Sequence, residues 1–228
     1  MKGKFITIYG VNNIGKTTHA KRLVERLNKL GKKAVYIKYP IYEVAPSGKF
    51  LNKILRGGKA QSISEYELQM WFVLNRFQFE PTLKKMLAQG NIVIAEDYVG
   101  TGIGWGTAKG GNQKELEAMN KFLVQEDFAI FLDGERKLSS QEKGHIHESN
   151  SAISAKCQLV LRKLAKKYGW RTVKVAQDKD ITAERIWETF TSLAGCLDQI
   201  KIYPYIEIRK CQPKYLMAGS FQIFFSKE

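Results

Sequence analysis

Gly10, Gly15, Lys16 and Thr17 stand in the spacing G-x-x-x-x-G-K-T, directly after the apolar run Phe5, Ile6, Ile8 and Tyr9. In this pattern successive backbone N–H groups turn inward around an anion, and the N-terminus of the following helix adds partial positive charge. Lys16 then reaches the β- and γ-phosphates of a nucleoside triphosphate, and the Thr17 hydroxyl meets Mg²⁺. Gly10, Asn12, Asn13, Gly15, Lys16, Thr17 and Thr18 are therefore the expected ATP-binding residues. A second candidate is the carboxylate pair Glu96-Asp97, which ends the near-continuous apolar run 91–95. Adjacent carboxylates at the carboxyl end of a buried strand suit Mg²⁺ and its waters, and strand alternation sends one of the two inward. His145 and His147 lie two apart in a polar stretch with no third ligand in view, so no metal site is expected there.

These residues need a scaffold that brings strand ends together, and the apolar patterning supplies one. The first strand is followed by a helix from about Thr18 to Leu30, closed by Gly31, and by a second strand, 34–39, ended by Pro40. A short helix over 49–55 and a long one over about 64–89 come next, the latter with Leu68, Trp71, Phe72, Asn75, Arg76, Phe79 and Leu83 on one broad face. An arginine on such a face calls for a polar ligand or a carboxylate. The glycine run 99–106 offers close backbone approach to a ligand. A helix over 112–123, strand 128–132, helix 152–168, strand 172–175 and helix 182–193 complete an α/β alternation, and the polar stretch 135–150 reads as a lid. In parallel sheets of this kind ligands gather at the carboxyl ends of the strands, where Lys38, Tyr39 and Pro40 lie, so these are candidates for a second substrate.

The 228 residues, 44% of them hydrophobic, suffice for one domain with a sizeable core. Net charge is +15, and the first 60 residues hold 14 Lys/Arg against Glu25 and Glu43 alone. A polyphosphate ligand accounts for part of that excess and solvated lysines for more, so basic charge does not by itself establish nucleic-acid binding. Three cysteines without metal or redox spacing imply free thiols and, with no signal or membrane segment, a cytoplasmic protein. Residues 196–228 change character and form an expected C-terminal extension of strand-like runs; a homodimer contact is one of the roles open to it.

With these residues in place the chain resembles the thymidylate kinase family of nucleoside monophosphate kinases over roughly residues 3–195. The resemblance rests on the phosphate loop, on Lys38-Tyr39-Pro40 after the second strand, and on Phe72, Asn75 and Arg76. It extends through Glu96-Asp97-Tyr98, then Thr101, Gly102 and Trp105, to the His-Ile-His-Glu148 stretch of the lid. It implies a P-loop fold with a parallel five-stranded sheet of order 2-3-1-4-5, and transfer of the ATP γ-phosphoryl group to dTMP with Mg²⁺. Thr17 and Glu96 would hold the metal; Lys16, Glu96, Arg136 and Lys143 would serve the chemistry. Asn12, Lys38, Tyr39, Pro40, Phe72, Asn75, Arg76, Asp97, Tyr98, Thr101, Gly102 and Trp105 would surround the acceptor. Three positions depart from the family pattern: Asn12 replaces an Asp, Asn13 an Arg used by some members, and Asp97 an Arg that meets the acceptor phosphate. A carboxylate at 97 fits a neutral acceptor more easily, so a deoxynucleoside kinase is the alternative, and a nucleic-acid-associated P-loop ATPase a more distant one.

Overall fold

The computed structural model describes residues 3–57, 61–135 and 151–196. Among them are five strands: β1 (Lys4–Tyr9), β2 (Ala34–Lys38), β3 (Ile92–Glu96), β4 (Phe128–Asp133) and β5 (Arg171–Lys174). Seven helices accompany them: α1 (Lys16–Lys29), α2 (Ser47–Arg56), α3 (Glu65–Ala88), α4 (Val99–Ala108), α5 (Gln113–Asn120), α6 (Ser151–Tyr168) and α7 (Lys179–Cys196). All strand pairs are parallel, in the order β2-β3-β1-β4-β5. The sheet is thus the one the resemblance implied. β1, β3 and β4 are buried along almost their whole length, as their unbroken apolar runs require.

Register decides which side chains meet. Lys38 pairs with Glu96 across β2 and β3, and Tyr36 lies two residues before Lys38, so all three share one face of the sheet. Ile8 of β1 pairs with Glu96 from the other side, which sets the phosphate loop beside the end of β3.

The run 99–106 is the main departure from the sequence reading. It is helical, and Gly100, Gly104 and Gly106 admit neighbouring protein groups, while Gly102 also borders a cavity. A Cβ at Gly104 would sit 2.8 Å from Leu161 Cδ2 of α6, and one at Gly100 would sit 2.4 Å from the Trp170 ring. Helix α4 therefore lies against α6 at a distance only glycine permits. The broad face of α3 is as expected in outline, with Leu68, Gln69, Asn75, Arg76, Glu80 and Leu83 buried, and Ser64 caps the helix by accepting from Glu67 N–H at 3.1 Å.

Asp133 ties the far side of the sheet together. Its carboxylate is 2% exposed and accepts from Arg162 Nη2 at 2.9 Å, from Gln158 Nε2 at 2.9 Å and from Lys174. Burial alone would raise its pKa, but bonds from Arg162, Lys174 and Gln158 prevail and hold it below the ordinary carboxylate range. A depressed folded pKa stabilises fully above the unfolded value of about 3.9, and that stabilisation is lost as pH falls through the folded pKa. Asp133→Asn is therefore expected to cost about 1–3 kcal/mol at pH 7 and progressively less below pH ~4. Urea midpoints measured across that range check both the size and the sign.

Candidate active site

One cavity of about 360 Å³ opens at the carboxyl ends of the strands. One wall is the phosphate loop, where Gly15 has φ 100° and Asn13 φ 65°, the backbone geometry that curls the N–H groups inward. Of the expected site residues described by the structure, all but Gly10 line this cavity. The Gly10 carbonyl accepts from Lys16 Nζ at 3.0 Å, as does that of Val11. Arg136, Lys143 and the rest of the expected lid from 136 to 150 lie outside the described residues.

Between the loop and the end of β3 is a compact group of hard oxygen atoms and cations. Thr17 Oγ1 donates to Glu96 Oε1 at 2.9 Å, Lys38 Nζ lies 3.1 Å from the same oxygen, and Tyr36 donates its hydroxyl hydrogen to Oε2. Burial pushes the Glu96 carboxyl upward, but Lys16, Lys38 and the bonds from Tyr36 and Thr17 outweigh it and hold the group anionic. Among the described residues no group of three or more His, Cys, Asp or Glu is placed to hold a metal ion. A hydroxyl and an anionic carboxylate 2.9 Å apart are nevertheless what Mg²⁺ takes from protein when phosphates and water complete its shell.

Asp97 turns to the donor side. It occupies the left-handed region with φ 61°, its Oδ1 accepts from Thr101 Oγ1 at 2.7 Å, and Lys16 Nζ is 3.6 Å away. Burial and then the Glu96 charge raise its pKa against the opposing pull of Lys16. Its charge is thus answered inside the protein.

The other wall comes from α3 and α4. Phe72, Gln69, Arg76, Gly102 and Trp105 line it together, and Trp71 instead stacks on Phe50 at 4.1 Å in a minor core. Arg76 is 4% exposed; its Nη1 donates to Asn120 Oδ1 at 2.8 Å and its Nη2 to the Tyr98 carbonyl at 3.1 Å, while Nε is buried without a hydrogen-bond partner. Its partners here are neutral. Asn75 reaches the cavity wall, but its side chain bonds Ile41 N–H and carbonyl, both at 2.8 Å, and the Ser47 hydroxyl, so it positions the loop after β2.

The sequence reading did not include Tyr36, Tyr42, Arg56, Gln69, Val175, Ala176 and Lys179. Two of these were within reach of periodicity: Tyr36 shares the strand face of Lys38, and Gln69 precedes Phe72 by three and Arg76 by seven on α3. The others arrive from loops and element ends that leave no periodic signal.

The thymidylate kinase family model matches residues 8–186. Thymidylate kinase of Caenorhabditis elegans is 26% identical over 203 residues, covering 84% of this chain and 92% of that protein. The human enzyme is 24% identical over 192 residues, covering 81% of this chain and 88% of its own length. A solved thymidylate kinase from Candida albicans superposes with a TM-score of 0.70 at 24% identity, over 84% of this chain and 92% of that one, which supports the fold. Sheet order, phosphate loop and family model agree over the same span: the chain belongs to the thymidylate kinase family.

Proposed function

We propose that this chain transfers the γ-phosphoryl group of ATP to dTMP, giving ADP and dTDP. The observation that carries the reading is a single cavity joining the phosphate loop to an aromatic and amide-lined pocket, with Thr17 and Glu96 between the two. Phosphoryl transfer asks the protein chiefly to align donor and acceptor and to meet charge, and each half of the cavity performs one alignment. The loop N–H groups and Lys16 hold the ATP phosphates. Phe72, Gln69 and Arg76 line the other half of the cavity and would meet the acceptor base there. Thr17 and Glu96 would hold Mg²⁺, which supplies charge neutralisation between the phosphates when bound. Residues 1–195 act as the kinase unit, with 135–150 closing over the substrates and Arg136 and Lys143 adding cations. No helix among the described residues is long and apolar enough to cross a membrane.

Asp97 no longer favours a neutral acceptor, because Lys16 and Thr101 answer its charge. The test is to incubate the protein with ATP, Mg²⁺ and, separately, thymidine, dTMP, dUMP and dCMP, and to separate products by chromatography. dTDP from dTMP is the expected product. Phosphorylation of thymidine without phosphorylation of dTMP would overturn the proposal.

A further inference from the structure

The cavity wall built by α3 and α4 carries a side-chain amide whose orientation is fixed from behind. Gln69 is 3% exposed, and its Nε2 donates to Glu65 Oε1 at 2.8 Å, one turn earlier on α3. A carboxylate only accepts, so the nitrogen is the end of the amide that meets Glu65, and the carbonyl oxygen takes the other side. Glu65 is itself held. Its Oε2 is 3.0 Å from Lys109 Nζ at the end of α4, and the same ammonium donates to Gln61 Oε1 at 2.9 Å. Gln69 Oε1 accordingly lies beside Gly102. A Cβ on Gly102 would sit 3.0 Å from that oxygen and 2.6 Å from Arg76 Nη2, so the missing side chain leaves an acceptor and a donor side by side at the cavity wall. Nη2 carries two hydrogens, one of them given to the Tyr98 carbonyl.

We propose that Gln69, locked by Glu65 as its positioning residue, selects a 4-keto pyrimidine in the acceptor, admitting thymine and uracil and rejecting cytosine. Thymine and uracil present the O4 acceptor next to the N3–H donor, the complement of Arg76 Nη2 and Gln69 Oε1. Cytosine reverses both. Its 4-amino group donates and its N3 accepts, so donor would face donor and acceptor would face acceptor. An amide free to turn would present Nε2 to the cytosine N3 and discriminate little, and the bond to Glu65 opposes that turn. Selection of this kind is strong because the wrong base leaves buried polar groups unpaired. A Gln–Glu pair at i,i+4 ordinarily supports only its own helix, and that role is blind to the base.

This selection rests on the proposed function, with the acceptor base in the α3 and α4 half of the cavity, and the experiment separates the two. dUMP and dCMP differ only in the 4-substituent and the proton on N3. Their binding is measured by calorimetry, beside that of dTMP, deoxyuridine and deoxycytidine, for the native chain, Gln69→Leu and Glu65→Ala. The native chain should prefer dUMP to dCMP at least about 100-fold. In Gln69→Leu, which keeps the bulk and loses the amide, that ratio should fall at least about tenfold, mainly through weaker dUMP binding. In Glu65→Ala it should fall by a similar factor through stronger dCMP binding, a gain that a merely loosened helix would not give. A ratio unchanged in either variant, or a native chain that binds dCMP as tightly as dUMP while binding dTMP, would overturn the selection and leave the acceptor assignment intact. Binding of deoxyuridine without binding of dUMP or dTMP would overturn the acceptor assignment, and the deoxyuridine to deoxycytidine ratio would then decide the selection in the same way.

Discussion

Lys16→Ala should lose on the order of 10³-fold in kcat, the largest effect expected from any single substitution in this chain. The ammonium is 4% exposed and fixed by the Gly10 and Val11 carbonyls, so it waits in place for the phosphates instead of being recruited by them. Lys16→Arg should not restore activity, because a planar guanidinium cannot occupy the space of a compact ammonium inside the loop. Removing Lys16 also takes away the ammonium 3.6 Å from the buried Asp97 carboxylate, a cost of up to about 3 kcal/mol, moderated by the Thr101 bond. The double variant Lys16→Ala/Asp97→Asn should therefore recover thermal stability without recovering activity. If the double variant melted as low as the single one, the Lys16–Asp97 pair would have no part in the fold.

Glu96→Ala comes second, with an expected loss of about 10²- to 10³-fold. Glu96 is the point where Thr17, Lys38 and Tyr36 converge, 3% exposed at the end of β3. Its loss removes the carboxylate expected at Mg²⁺ and releases three side chains at once. Part of the lost rate should return at raised Mg²⁺ concentration, a response that a merely unfolded variant would not give. Glu96→Asp should keep the larger share of activity, since a shorter carboxylate can still act through water. A rate in Glu96→Ala within about threefold of native at low Mg²⁺ would contradict the assignment.

The fold was legible wherever a strand is buried on both faces. Apolar runs such as Ile92-Val-Ile-Ala95 carry their own evidence, and the loop after β1 names its ligand by glycine spacing. The glycines of α4 were not legible in this way. Local preference points away from helix at four glycines in eight residues, and only the nearness of Leu161, Trp170, Arg76 and Leu116 shows why side chains are absent there. Arg76 was recognisable as a buried cation, but its neutral partners Asn120 and Tyr98 come from separate elements that the sheet brings together. Asp97 misleads on type alone: its left-handed backbone, which turns it to Lys16, cannot be seen from its neighbours in sequence. Arg56 and Tyr42 are 14 positions apart, and nothing but the packing of α2 shows that they touch.

The central claim is that one cavity seats ATP and dTMP phosphate to phosphate, and a compound joining adenosine and thymidine through five phosphates tests it most directly. Linking the two ligands makes the second contact intramolecular, so the compound should bind at least about 100-fold more tightly than ATP or dTMP alone. That gain should vanish in Lys16→Ala. Binding no tighter than ATP, or binding indifferent to replacement of thymidine by a second adenosine, would contradict it.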